Sequence, residues 1–165
     1  MMGSWKSTVG KQLSKALNMK FIDTDDCIED MMEMKIIDIF EEFGEHKFRQ
    51  MESAFFIEKA KQNGHVFSTG GGIILKDANR EILKNGITIL LDASSKNLAD
   101  RINNTNKRPL LLGTGDLEAR IKAILIERNK YYLECAQLII DTNDLIPKDV
   151  VSKILSALKV SNENN

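Results

Sequence analysis

Apolar positions along the chain follow two rhythms. Val9, Leu13, Ala16 and Leu17 recur every three or four residues, the spacing of one helical face. Lys20-Phe21-Ile22-Asp23 reads as a short strand ending in Asp23-Thr24-Asp25. Helical spacing returns from Ile36 to Phe43, stops at Gly44, and resumes from Phe48 to Lys61, ahead of Asn63-Gly64. Phe40, Phe43, Phe48, Phe55 and Phe56 share this spacing and are assigned to the core. His65-Val66-Phe67-Ser68 is a second strand that runs straight into Gly70-Gly71-Gly72. Ile87 to Asp92 is a third, apolar on both faces as a buried parallel strand is. Ser95 to Ile102 is a helix capped by Ser94 or Ser95, and a long helix spans Asp116 to about Ala136. Strand Leu138–Asp141 follows, and a closing helix opens on Pro147, a favoured first helical position.

Strands alternating with helices predict an α/β fold of three layers, a parallel sheet covered on both faces. A chain of 165 residues reads as a single domain over 1–160, with 161–165 as a frayed tail. Net charge is −1, from 23 basic and 24 acidic residues, so nothing draws the chain globally to nucleic acid or to anionic membrane. An anionic substrate must then be held by a few placed Arg and Lys residues. Cys27 and Cys135 lie far apart without metal-ligand spacing and read as reduced thiols. No apolar run is long enough to span a bilayer, and the start lacks a signal-peptide profile. The expectation is a cytoplasmic protein.

The candidate chemistry begins at residue 3. Gly3-Ser4-Trp5-Lys6-Ser7-Thr8 reads as the back half of a phosphate-binding loop, G-x-x-x-x-G-K-[ST], opening a helix. Such a loop wraps phosphates in backbone N–H groups. Its lysine reaches the β- and γ-phosphates and its hydroxyl ligates Mg²⁺, roles that fit Lys6 and Ser7. The motif's first glycine would fall before Met1, its last is replaced by Trp5, and no apolar strand leads into it. In parallel sheets ligands bind at the carboxyl ends of strands, where Asp23, Asp25 and the triple glycine fall. An Asp-x-Asp there can equally be a turn and helix cap. Three successive glycines carry a large entropic cost, which points to a close backbone approach.

Taken together these pieces resemble the shikimate kinase family, P-loop small-molecule kinases, in order and spacing over nearly the whole chain. The shared segments are Gly3-Ser4-x-Lys6-Ser7-Thr8-Val9-Gly10, Asp23-Thr24-Asp25, Phe48-Arg49-x-x-Glu52 and Ser68-Thr69-Gly70-Gly71-Gly72. Arg108-Pro109-Leu110-Leu111, Arg128-x-x-Tyr131-Tyr132 and Asp141-Thr142-Asn143 complete the set. The resemblance implies a P-loop, nucleoside-monophosphate-kinase-like fold and phosphorylation of the shikimate 3-hydroxyl by ATP, in chorismate and aromatic amino-acid biosynthesis. It implies that Gly3, Ser4, Trp5, Lys6, Ser7 and Thr8 hold ATP, with Mg²⁺ on Ser7 and, through water, on Asp23. Lys6, Asp25 and Arg108 would be catalytic, Asp25 taking or orienting the proton of the attacking hydroxyl. Arg49 and Arg128 would clamp the substrate carboxylate, and Gly70, Gly71 and Gly72 would serve the ring hydroxyls. Arg108 belongs to a lid at about 103–116, Arg101 would pack near the adenine, and the protein would be a monomer.

Three departures from the family pattern carry expectations of their own. Trp5 should strain the loop and crowd the phosphates; the leading strand, central in the family's sheet, is missing from the sequence; and Asp144 stands where some members place a basic residue against the adenine. From these the sequence predicts weak ATP binding. Two other readings share the same residues: a non-catalytic relative retaining the substrate pocket, and a gluconate-kinase-like enzyme.

Overall fold

The computed structural model describes residues 1–102, 109–111 and 115–163. Helix α1 (Lys6–Ala16) buries Val9, Gly10, Leu13 and Ser14 along one face and ends at Leu17, before Asn18 turns left-handed at φ 53°. Strand β1 (Lys20–Asp23) pairs in parallel with β2 (His65–Ser68), Lys20 opposite His65 and Asp23 opposite Ser68. Strand β3 (Ile89–Asp92) pairs in parallel with β4 (Leu138–Asp141). The sheet is thus two parallel pairs, and among the described residues no strand joins β2 to β3.

Helices cover both faces. Leu91 and Ile140 look to the side of α1 and α7 (Pro147–Glu163), packing with Val9, Leu13, Val150 and Ile154. Leu90 looks the other way, to a cluster that holds Phe56, Ile73, Ile74, Leu98, Ile121 and Cys135. That cluster draws on α3 (Ile36–Lys59), α5 (Ser95–Asp100) and α6 (Leu117–Cys135). These are the three layers that the alternation of strands and helices predicts. Each fully buried aliphatic contributes about 1.5–3 kcal/mol.

Helix α2 (Thr24–Met32) and the first half of α3 form a lobe around Ile28, Ile39 and Phe48. Helix α3 breaks into two helices at Gly44, whose φ of 77° and ψ of 163° are not helical, as the two-piece reading expects. The break lies next to Phe43, which is 41% exposed; it belongs outside the core to which its spacing assigns it. Two helices, α2 and α4 (Asp77–Asn85), are absent from the sequence reading; each is only nine residues long. β3 begins at Ile89 rather than Ile87, and Ile87 is 72% exposed. No helix among the described residues is long and apolar enough to cross a membrane.

Candidate active site

All carboxyl ends of the strands point to one end of the molecule, and the first five residues fold over it. Ser4 Oγ donates to the Met1 carbonyl at 2.8 Å, and Lys6 Nζ to the same oxygen at 2.6 Å. The loop therefore encircles its own lysine. Helix α1 starts beneath it without an acidic residue in its first turn, so its unpaired N–H groups and dipole favour an anion. Trp5 stands at φ 62° and ψ 20°, the left-handed conformation that suits the glycine it replaces. For a tryptophan this costs about 1–3 kcal/mol. Its indole turns sideways, packs against the Val9–Leu13 cluster and lies 3.6 Å under the Arg101 guanidinium. Arg101 also donates to Thr142 Oγ1 at 3.0 Å and to the Thr142 carbonyl at 2.6 Å, which fixes the stack. Trp5→Gly should relax the loop and lower KM for ATP by about tenfold, the equivalent of 1.4 kcal/mol, leaving KM for the second substrate unchanged. Initial-rate kinetics at varied ATP checks it, and an unchanged ATP KM would show that the strain is not felt at the phosphates.

Directly below, Ser7 Oγ donates to Asp23 Oδ2 at 2.6 Å and lies 3.2 Å from Ser68 Oγ. Asp23 also caps α2, its Oδ1 accepting from the Asp25 N–H at 3.1 Å, so the turn-and-cap reading and the site reading of Asp-x-Asp hold together. The cluster is all oxygen, which fits a hard divalent cation that brings phosphate oxygens and water as its other ligands.

The second half of the site is more buried. Glu52 is 1% exposed and Arg128 5%. Arg49 Nη1 donates to Glu52 Oε2 at 2.7 Å, while its Nε and Nη2 hold Glu45 Oε1 at 3.2 Å. Glycines are obligatory against these side chains. A Cβ on Gly70 would collide with Glu52 Oε1 and sit 2.8 Å from Asp25 Oδ1; one on Gly72 would run into the Arg49 guanidinium. Tyr132, one turn beyond Arg128 on α6, donates its hydroxyl to the Gly71 carbonyl at 2.6 Å and so pins the turn. Three buried polar atoms around this turn have no protein partner: Asp25 Oδ1, Glu52 Oε1 and Arg128 Nε. Two acceptors and one cationic donor left open together call for a ligand that bears both hydroxyls and an anion.

Electrostatics single out Asp25. Burial first, then the Glu52 carboxylate, raise its pKa from 3.8 to about 6, against the opposing pull of Lys6. Glu52 is likewise pushed up by burial, with Arg49 and Arg128 drawing it back down. A carboxylate poised near neutrality beside a phosphate loop is suited to receive a proton.

The structure thus brings together Gly3, Ser4, Trp5, Lys6, Ser7, Asp23, Asp25, Arg49, Gly70, Gly71, Gly72 and Arg128 at one end of the sheet. Thr8 is exposed on α1. Arg108 and most of the expected lid lie outside the described residues; the turn Pro109–Leu111 within it anchors Leu111 fully in the core. Glu52 and Tyr132 were not among the sequence candidates. Their signal was a carboxylate three residues after Arg49 and a tyrosine four after Arg128, on the same helical faces.

Comparison with known proteins agrees with this geometry. The family model described as shikimate kinase matches residues 2–159. A shikimate kinase of Caldanaerobacter subterraneus subsp. tengcongensis is 39% identical over 157 residues, 94% of this chain and 91% of its own. One from Microcystis aeruginosa is 41% identical over 159 residues, 96% of this chain and 83% of its own. Among solved structures, the shikimate kinase from Acinetobacter baumannii in complex with shikimate superposes with a TM-score of 0.92 at 35% identity, covering 99% of this chain and 91% of that one.

Proposed function

The chain belongs to the shikimate kinase family, and from that premise we propose how its own residues divide the work of that reaction. The activity is the ATP-dependent phosphorylation of shikimate, a step of aromatic amino-acid biosynthesis. Neither the gluconate-kinase-like nor the non-catalytic reading has support in these matches. The observation that carries the assignment of roles is the set of open buried atoms, Asp25 Oδ1, Glu52 Oε1 and Arg128 Nε, gathered at a glycine turn beside Lys6.

Shikimate carries a carboxylate and three hydroxyls on one ring. Arg128 and Arg49 take the carboxylate, since a guanidinium fork matches its two oxygens. Asp25 and Glu52 accept from hydroxyls, and the backbone of Gly70–Gly72 closes against the ring because no Cβ intervenes. Gly3 to Thr8 and the start of α1 hold the ATP phosphates, and Lys6 exchanges the Met1 carbonyl for phosphate oxygens. Ser7, with Asp23 through water, would hold Mg²⁺, which would supply neutralisation of charge on the transferring group. The 3-hydroxyl oxygen bonds to the γ-phosphorus as the bond from that phosphorus to the ADP oxygen breaks. Its proton passes to Asp25. A role for Arg108 toward ATP rests on the family pattern alone. Arg101, stacked on Trp5, borders the adenine. We place the protein in the cytoplasm as a monomer, in keeping with its two free thiols.

The direct test is a coupled assay for ADP, with phosphorylated shikimate followed by mass spectrometry and its position by phosphorus–proton coupling. One ADP per shikimate 3-phosphate is expected; ADP release without it, or transfer to gluconate, would overturn the reading. The pH profile adds a second check. Asp25 must be ionised to accept the proton, so kcat/KM for shikimate should fall as pH drops through about 6. A profile flat to pH 5 would remove Asp25 from that role.

A further inference from the structure

One peptide group in the glycine turn has no backbone anchor. The Gly70 N–H donates to Thr24 Oγ1 at 3.0 Å, and the Gly70 carbonyl accepts from the Ile73 N–H at 3.2 Å, closing a β-turn over Gly70–Ile73. The Gly72 carbonyl accepts from the Leu75 N–H at 3.0 Å. Between them, the Gly71 carbonyl and the Gly72 N–H make no backbone bond among the described residues.

This is also the peptide that a turn reverses most easily. Gly72 stands at φ −98° and ψ −1°, the conformation of the third residue of a type I turn. Reversing the central peptide converts type I to type II, with the third residue at a φ of about +80°. Glycine takes that angle without steric cost. Residue 72 has to be glycine for another reason, since a Cβ there would run into the Arg49 guanidinium. The feature that admits Arg49 therefore leaves the turn free to flip. In a trans peptide the N–H and the carbonyl point in opposite directions. A flip would set the Gly71 oxygen where the Gly72 N–H now points, and a donor would become an acceptor.

Tyr132 opposes that flip. Its hydroxyl donates to the Gly71 carbonyl at 2.6 Å, and Arg128, one turn earlier on α6, donates to the hydroxyl oxygen. Burial raises the Tyr132 pKa above its ordinary value, so the bonding proton stays in place at neutral pH. A hydrogen-bond chain that begins at a charged donor polarises its later members, which makes the Gly72 N–H a stronger donor.

We propose that Tyr132 is a positioning residue for shikimate: it locks the central peptide of the turn in one orientation and so presents the Gly72 N–H to an oxygen of the substrate. The inference rests on the assignment of the glycine turn to shikimate and adds the side chain that sets the turn's polarity.

Tyr132→Phe tests it, keeping the ring and removing the donor. KM for shikimate should rise about tenfold while kcat and KM for ATP stay within about twofold, the pattern of a lost binding contact. In protein labelled with ¹⁵N-glycine, the assigned Gly72 amide should be one sharp resonance in the parent and should shift when shikimate is added. In the variant it should broaden or split, as the peptide exchanges between two orientations. A packing role alone would lower Tm, raise both KM values together and leave the Gly72 resonance single, and that result would overturn the proposal. An unchanged KM for shikimate in the variant would do the same. So would a parent Gly72 amide that bound shikimate does not move, a readout that needs no variant to fold. Failure of the kinase reading shows separately, as a parent that does not phosphorylate shikimate, and the inference would fall with it.

Discussion

Asp25→Asn should lower kcat by about 10²–10⁴-fold while making the protein more stable. The first effect follows from removing a carboxylate whose pKa is set near neutrality beside Lys6. The second follows from what that setting costs. The folded pKa, about 6, lies above the 3.8 of an unperturbed aspartate. The folded state therefore binds the proton more tightly than the unfolded one. Stability linked to Asp25 is fully present below about pH 4, and is lost as pH rises toward 6. The charged form then costs about 2–3 kcal/mol, for a side chain whose Oδ1 is sealed from solvent. Asparagine is neutral at every pH. Its Tm should exceed that of the parent by several degrees at pH 7.5, and the difference should vanish by pH 4. Thermal melts of both proteins across that range check it. An inactive variant with unchanged Tm at pH 7.5 would mean that Asp25 is not held against its ionisation.

The loss and the gain have one origin, since the burial that would suit Asp25 to act as a base also makes it expensive to ionise. Sequence shows only part of such a site. The phosphate loop, Asp23 and Asp25 at a strand end and the three glycines are legible because their backbone roles restrict residue type. Arg49 and Arg128 are legible by spacing within a family pattern. Glu52 is harder to see. In sequence it is an acid three residues from an arginine, as on any solvated helix, and only the fold shows it buried under Gly70 with one oxygen open. Tyr132 is hidden for the same reason, because its partner, the Gly71 carbonyl, is 61 residues away. The strands come through well, being short apolar runs with clear stops. Helices α2 and α4 do not, since each is nine residues long and its apolar period has little room to repeat. Trp5 shows both limits: its left-handed backbone is readable from the glycine it replaces, but its indole settling under Arg101 is a packing outcome that no local rule contains.

Arg128→Ala should raise KM for shikimate by about 10²-fold or more with a smaller fall in kcat, the cost of about 3 kcal/mol when one partner of a buried, hydrogen-bonded charge pair is removed. The residue lies on the face of α6 that also buries Ile121, Tyr132 and Cys135, and it is only 5% exposed. A buried guanidinium with an open Nε is costly to keep without a partner. In the proposed assignment the substrate carboxylate supplies the missing half. A structural role would also raise KM, because Arg128 helps to neutralise Glu52 and pull its pKa down. The methyl ester of shikimate separates the two. If Arg128 binds the carboxylate, the parent protein discriminates strongly against the ester and the alanine variant hardly at all. If Arg128 only supports Glu52, the variant loses the acid and the ester in equal proportion. Arg128→Lys should fall between, keeping the charge but losing the fork that meets both carboxylate oxygens. Equal losses for acid and ester would move the carboxylate to Arg49, whose guanidinium already lies against Gly72.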